Sequence, residues 1–224
     1  MMFVSTKFDI KLELVENRVS VLVVEHQRIF ADIISGIYSL MRNNSDEISL
    51  VENDKILNFS KTADIIVDPF SISCNEKRVT QKLYQEITYR INECMAEESA
   101  FIHGEIINYL EKAILTVPYD VTFEIELDIL SLLKAYNVKI CDDSENVVER
   151  IINYLKVIHR LCNIRVVVFV NLKTYLPADD IASLYEFAFY EKIHLILLEN
   201  IQKNKIDGEK IFILDKDRCI IEMD

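Results

Sequence analysis

Glycine is scarce in this chain, with Gly36, Gly104 and Gly208 the only three among 224 residues. A loop that wraps a phosphate with its backbone N–H groups needs glycine to approach the anion closely. Such a loop would follow the first buried strand, reading GxxxxGK and then Ser or Thr. The sequence there is "VVEHQRIFADI", with no glycine and no Lys-Ser/Thr pair. Nucleotide binding through a phosphate loop is therefore disfavoured. Close cysteine pairs are missing as well: Cys74, Cys94, Cys141, Cys162 and Cys219 are scattered without a CxxC, as expected of free thiols in a reducing compartment. The apolar runs, such as 166–170, are too short to cross a bilayer. "MMFVSTKFDIKLELV" carries charges every few residues and does not read as a signal peptide. These features predict a soluble, cytoplasmic protein without a membrane partner.

Basic charge is the next shortage. Twenty-five Lys and Arg stand against 37 Asp and Glu, a formal net charge of −12. Residues 1–74 carry 7 positive and 11 negative side chains, 75–137 carry 6 and 11, and 138–224 carry 12 and 15. No segment is basic, so composition alone argues against nucleic acid.

What is present is a core: half the residues are hydrophobic. "KFDIKLELV" alternates like a half-exposed strand, and "VSVLVVEH" reads as a strand covered on both faces. "RIFADIISGIYSLM" has helical spacing, "EISLVENDKILNFS" a hairpin turning at Asn53-Asp54, and "TADIIVDPF" a short strand stopped by Pro69. From Asn75 the pattern changes to long helices, broken at "MAEESAF" and ended by Pro118, with a third helix over 125–136. "NVKIC" then resumes as a strand, and a helix capped by Asp143 or Ser144 follows. "RVVVFVNLKTYLPADDIASLYEFAFYEKIHLILLEN" reads as buried strand, helix, buried strand, with Pro177, Asp179 and Asp180 marking a helix start. "KIFIL" and an edge strand at "CIIEM" close the chain. The predicted fold is α/β, a mainly parallel sheet head in two pieces, 1–74 and 138–224, with a helical leg over 75–137.

Catalytic signatures are weak. The four histidines have no HExxH or triad context, and Ser20 and Ser73 lack the glycines of a nucleophile elbow. Glu25 and Glu199 end buried strands, where α/β sites form. "PYDVTFEIELDIL" gathers Asp120, Glu124, Glu126 and Asp128, which suits either a hard cation such as Ca²⁺ or a solvated helix start. "CDDSEN" is a weaker second patch. Lys156 and Arg160 lie four apart on one helix face, with Arg150 and Arg165 on either side. Lys203, Lys205 and Lys210 share a late region, and Lys77, Arg78 and Lys82 open the helical block. Such groups suit ordinary solvated surface, or a phosphate-tracking stripe if several copies line up.

The order "VSVLVVEHQRIFADIISGIYSL", helical block, "YNVKI", "RVVVFVNLKTYLPADDIASLYEFAFYEKIHLILLEN", "KIFILDKD" resembles the small adaptation proteins of type II-A CRISPR systems, the Csn family. The matching details are Phe169-Val170-Asn171, the "ASL" of the next helix and the strand ending Leu198-Glu199. The resemblance implies a head related to P-loop NTPases without the nucleotide motif, plus a helical leg. It also implies a homotetrameric ring that binds double-stranded DNA ends without catalysis and serves spacer acquisition, alongside the CRISPR integration proteins and the RNA-guided effector nuclease. For site residues it nominates Lys156, Arg160, Lys173, Lys203 and Lys205 toward DNA, and Glu124, Glu126 and Asp128 toward calcium. Two other classes compete: an acidic protein-interaction scaffold, which the net charge favours, and a divergent nucleotide hydrolase using Glu25 or Glu199.

Overall fold

The computed structural model describes residues 1–42, 47–126 and 128–223. They divide into two compact units, Met1–Cys74 with Asp142–Asp224, and Asn75–Cys141.

The first unit opens with a hairpin of β1 (Met2–Ser5) and β2 (Ile10–Glu13), pairing Phe3 with Leu12. β2 shows the expected alternation, with Ile10 and Leu12 buried. The fully buried β3 (Val19–Val24) leads into α1 (Gln27–Met41), which buries Ile29, Ile33 and Ile37. Gly36 lets that helix close on the sheet, since a Cβ there would sit 2.8 Å from the Ile48 side chain. β4 (Ile48–Glu52) and β5 (Lys55–Leu57) form the expected hairpin. Its turn residues Asn53 and Asp54 have φ of 50° and 61°, the left-handed pair that a tight two-residue hairpin requires. The short α2 (Phe59–Thr62), capped by the Asn58 side chain, precedes β6 (Ala63–Ile66).

The second unit is helical: α3 (Lys77–Cys94), α4 (Ala96–Ile114) and α5 (Ile129–Ala135). Three expectations change here. The break between the long helices is Met95 alone, and "AEESAF" is the first turns of α4. The third helix begins at Ile129, where Asp128 caps it, rather than at 125; Leu127, within the expected span, lies outside the described residues. "NVKIC" forms no strand. Its backbone pairs instead with a side chain: the Asn75 amide donates to the Ile140 carbonyl and accepts from the Ile140 N–H, both at 2.9 Å. A single amide thus satisfies a donor and an acceptor that a neighbouring strand would have taken.

Back in the first unit, α6 (Val147–Cys162) is capped by Asn146, not Asp143 or Ser144; the Asn146 side chain accepts from the Glu149 N–H at 2.8 Å. Asn163, with φ 58°, ends the helix, and Ile164 N–H bonds back to the Ile158 carbonyl. β7 (Val166–Val170), α7 (Leu172–Tyr175), α8 (Ala178–Tyr190) and β8 (His194–Glu199) follow, with Asp179 and Asp180 in the first turn of α8 as expected. β9 (Glu209–Leu214) and the exposed β10 (Ile220–Met223) finish the chain. Gly208, with φ 85°, makes the turn into β9.

Two sheets result. One is antiparallel, in the order β2-β1-β4-β5; the other runs β10-β9-β3-β8-β7-β6, parallel except for β10 at its edge. Successive residues of a strand face opposite ways. Leu22, Val24, Val168, Ile196, Leu198 and Phe212 accordingly pack with the small sheet and α1. The alternate residues, Val21, Val23, Phe169, Leu195, Leu197 and Ile211, are also buried. They form the opposite face, where α8 packs on β8 and α6 on α8. This is why the central strands read as unbroken apolar runs. Among the described residues no helix is long and apolar enough to cross a membrane.

Candidate functional site

The strand ends define the site. β3 passes into α1 through Glu25 and His26 alone, both exposed. His26 is the N-cap, with no side-chain capping bond, and its carbonyl accepts from the Phe30 N–H at 3.0 Å. A connection of two residues cannot enclose a phosphate.

Chemistry gathers instead at the far end of β8 and the start of β9, on the face covered by α8. Glu199 and Glu209 are 1% and 3% exposed, among the least common places for carboxylates. The Lys173 ammonium lies 2.7 Å from the Glu209 carboxylate oxygens and donates to the Asn204 carbonyl at 3.0 Å. Tyr185 O–H donates to Glu209 Oε1 at 2.6 Å, and Ile206 N–H to Oε2 at 2.9 Å. Burial and the adjacent Glu209 charge push the Tyr185 phenol far above its ordinary value, so it stays a donor. Glu199 Oε1 accepts from the Lys173 N–H at 3.0 Å, while Glu199 Oε2 is buried without a partner. Burial raises the Glu199 carboxyl to about 7, against the opposing pull of the Lys173 N–H and the Lys173 and Lys203 charges. Sequence reasoning found Glu199 from its place at a strand end but missed this network. Lys173 and Glu209 stand 36 residues apart, and only the charge opening the otherwise apolar "EKIFIL" hinted at a buried ion.

The nominated basic residues separate into different situations. Lys173 is a correction: its side chain is 4% exposed and fully occupied inside the protein, so its ammonium is not offered to DNA. Lys203 and Lys205 are exposed on the connection 200–208 between β8 and β9. Lys156 is exposed on α6, and Arg160, one turn on, donates to Glu191 Oε1 at 2.6 Å. Arg165 is held by Glu52 through two bonds of 3.1 and 3.0 Å, and that guanidinium keeps the Glu52 carboxyl below its usual range. Beside it, with its N–H on the Arg165 carbonyl at 2.9 Å, His194 is lowered below the ordinary imidazole value by burial.

The nominated calcium ligands do not converge. Glu124 and Glu126 are exposed in an irregular segment. Asp128 is engaged with its own helix: Oδ1 accepts from the Leu130 N–H at 3.0 Å and Oδ2 from the Ser131 hydroxyl. Those bonds, the Ser131 hydroxyl first, hold the Asp128 carboxyl below its usual value. Among the described residues no group of three His, Cys, Asp or Glu side chains is placed to hold a metal ion. The three acids as arranged do not fit a Ca²⁺ site, which needs six or more oxygens around one point. Asp128→Ala is accordingly expected to lower the melting temperature by a few degrees, equally in chelator and in calcium, because a helix cap is lost. A loss seen only in calcium would make Asp128 a ligand.

A curated relative from Streptococcus agalactiae, "CRISPR-associated protein Csn2", is 24% identical over 216 residues, covering 93% of this chain and 92% of its own. The family model described as CRISPR-associated protein (Cas_Csn2) matches residues 41–218. That match takes in β4 to β9, hence the helical unit, most of the first unit and the whole buried Lys173–Glu209 network, and the chain belongs to the CRISPR-associated Csn2 family.

Proposed function

We propose that this protein is a non-catalytic, sequence-independent binder of double-stranded DNA ends. It acts in CRISPR spacer acquisition as a ring-shaped homotetramer beside the integration proteins and the RNA-guided effector nuclease. The head is a relative of P-loop NTPases whose phosphate-binding turn has been reduced to Glu25 and His26.

The observation that carries the reading is the surface of the helical unit. α4 runs for 19 residues without one buried side chain. Phe101 and Tyr109 are 71% and 72% exposed, with Ile102 and Tyr89 also out. Apolar surface of this kind on a soluble chain marks a partner, and further copies of the same chain supply one by symmetry. Assembly multiplies the acidic charge, so DNA would be held by closure of the ring and not by its net field. A chain at −12 repels DNA as a monomer, whereas a closed ring holds linear DNA by topology while Lys156, Lys203 and Lys205 make a few phosphate contacts. Contacts of that type are independent of sequence and weaken steeply with salt. No calcium step enters, since Asp128 is spent on its helix.

The test is a gel shift of linear against closed-circular duplex of equal length, with protein mass measured by light scattering. Retention of the linear form alone by a species of four chains is the expected result. No shift of either form at low salt would leave the acidic protein-interaction scaffold as the better account.

A further inference from the structure

The connection 200–208 runs from the end of β8 to the start of β9, and its attachment to the rest of the unit is unusual. Three of its backbone groups are held by side chains outside it. Asn200 N–H donates to Asn171 Oδ1 at 3.0 Å, Ile206 N–H to Glu209 Oε2 at 2.9 Å, and Lys173 Nζ to the Asn204 carbonyl at 3.0 Å. Two of the three depend on the buried Lys173–Glu209 pair. Lys173 links that pair to Glu199, which has one oxygen on the Lys173 N–H and the other buried without a partner.

We propose that Glu199 is a proton-operated clamp on the 200–208 connection, holding it closed when protonated and releasing it when ionised. The argument begins from a charge count. Glu199 and Glu209 are both buried and share one buried cation, Lys173. Glu209 takes that cation directly, together with the Tyr185 hydroxyl and the Ile206 N–H. Glu199 keeps a single backbone donor. Every charged group facing it follows the same logic. Lys173, on α7, is committed to Glu209; Lys203, on the connection, is exposed; Glu209, on β9, repels; and Tyr185, on α8, is neutral. On the adjacent strands its neighbour in register is the apolar Val23.

A buried carboxylate with an empty oxygen is costly unless it is neutral or reaches water. Protonation supplies the first solution and leaves the connection where it is. Ionisation demands the second. The surroundings must then rearrange, and the segment free to do so is 200–208, which begins at the residue after Glu199, is largely exposed and irregular, and carries the Lys203 charge that Glu199 feels. Movement also draws the Lys203 ammonium toward Glu199 and loosens the Asn204 carbonyl from Lys173. The clamp thus changes how Lys203 and Lys205 are presented, whether or not that loop meets DNA. Its midpoint falls near neutral pH because desolvation and the Lys173 and Lys203 charges oppose one another.

The experiment is hydrogen exchange on the full chain between pH 6 and 8.5, read as protection factors corrected for intrinsic rates. Protection of the Asn200 and Ile206 amides is expected to fall about tenfold or more across that range in the native protein. In Glu199→Gln it should stay at the low-pH level. Lys203→Gln removes a charge that favours ionisation, so its transition should move to higher pH. This second variant, exposed and safe for folding, keeps the test alive if Glu199→Gln folds poorly. Unchanged protection in the native protein, or a transition unaffected by both substitutions, overturns the clamp. None of these outcomes involves DNA, so failure of the DNA-binding reading and failure of the clamp are separately visible.

Discussion

Lys173→Met is expected to destabilise the protein by about 3–5 kcal/mol. Methionine fills the same volume, so packing is kept while the charge is lost. What remains is Glu209, with a side chain that is 0% exposed, held by the Tyr185 hydroxyl and the Ile206 N–H but without a countercharge. The Asn204 carbonyl loses its donor at the same time. Against a typical total of about 5–15 kcal/mol this is a large fraction, visible as a fall of about 10 °C or more in melting temperature. Adding Glu209→Gln to the first substitution should recover part of the loss, because the orphaned charge is then gone. Denaturant unfolding of the two single variants and the double variant measures the coupling. A double variant no better than Lys173→Met would mean that the pair matters only through its shape.

The second large effect is one of pH. In the folded chain Glu199 titrates at about 7 against an ordinary glutamate value of 4.5. Between those values the native state binds a proton that the unfolded state has released. Stability therefore falls as pH rises from 4.5 through 7, the reverse of the behaviour of a salt-bridged carboxylate. The separation corresponds to about 3 kcal/mol. Glu199→Gln cannot ionise, so the stability difference between variant and native protein should tilt toward the variant by that amount between pH 4.5 and 8. Urea unfolding of both proteins at several pH values reads it directly, and parallel pH curves would place the Glu199 midpoint close to that of a solvated acid. The two predictions probe one network from its two ends, the cation and the carboxyl that has no cation of its own.

Much of the head was legible because its signals are local. The Asn53-Asp54 turn, the buried runs of β3, β7 and β8, the apolar stripe of α6 and the Pro177-Asp179-Asp180 helix start all depend on residues close in sequence. The failures have a common physical origin too. "NVKIC" has strand composition, yet a strand exists only where a neighbour supplies its hydrogen bonds, and here the Asn75 side chain took that place. Glu126 and Asp128 alternate like paired ligands, yet Asp128 closes on its own helix through Leu130 and Ser131. In both cases the outcome turned on which partner arrived in space.

The sequence by itself determined the class of fold, the order of its strands and helices in the head, and the change to a helical block from Asn75 onward. Those follow from periodicity, turn chemistry and the order of apolar blocks, all carried by neighbours along the chain. Only the tertiary structure decided the fate of the charges. It took Lys173 out of the set available to DNA and joined it to Glu209, 36 positions away. It left Glu199 buried with one oxygen on the Lys173 N–H and the other unsatisfied, and put Lys203 and Lys205, exposed, on the connection that follows it. Whether a charge is a surface contact or a buried hinge depends on burial and on partners, and neither is written in the spacing of residues.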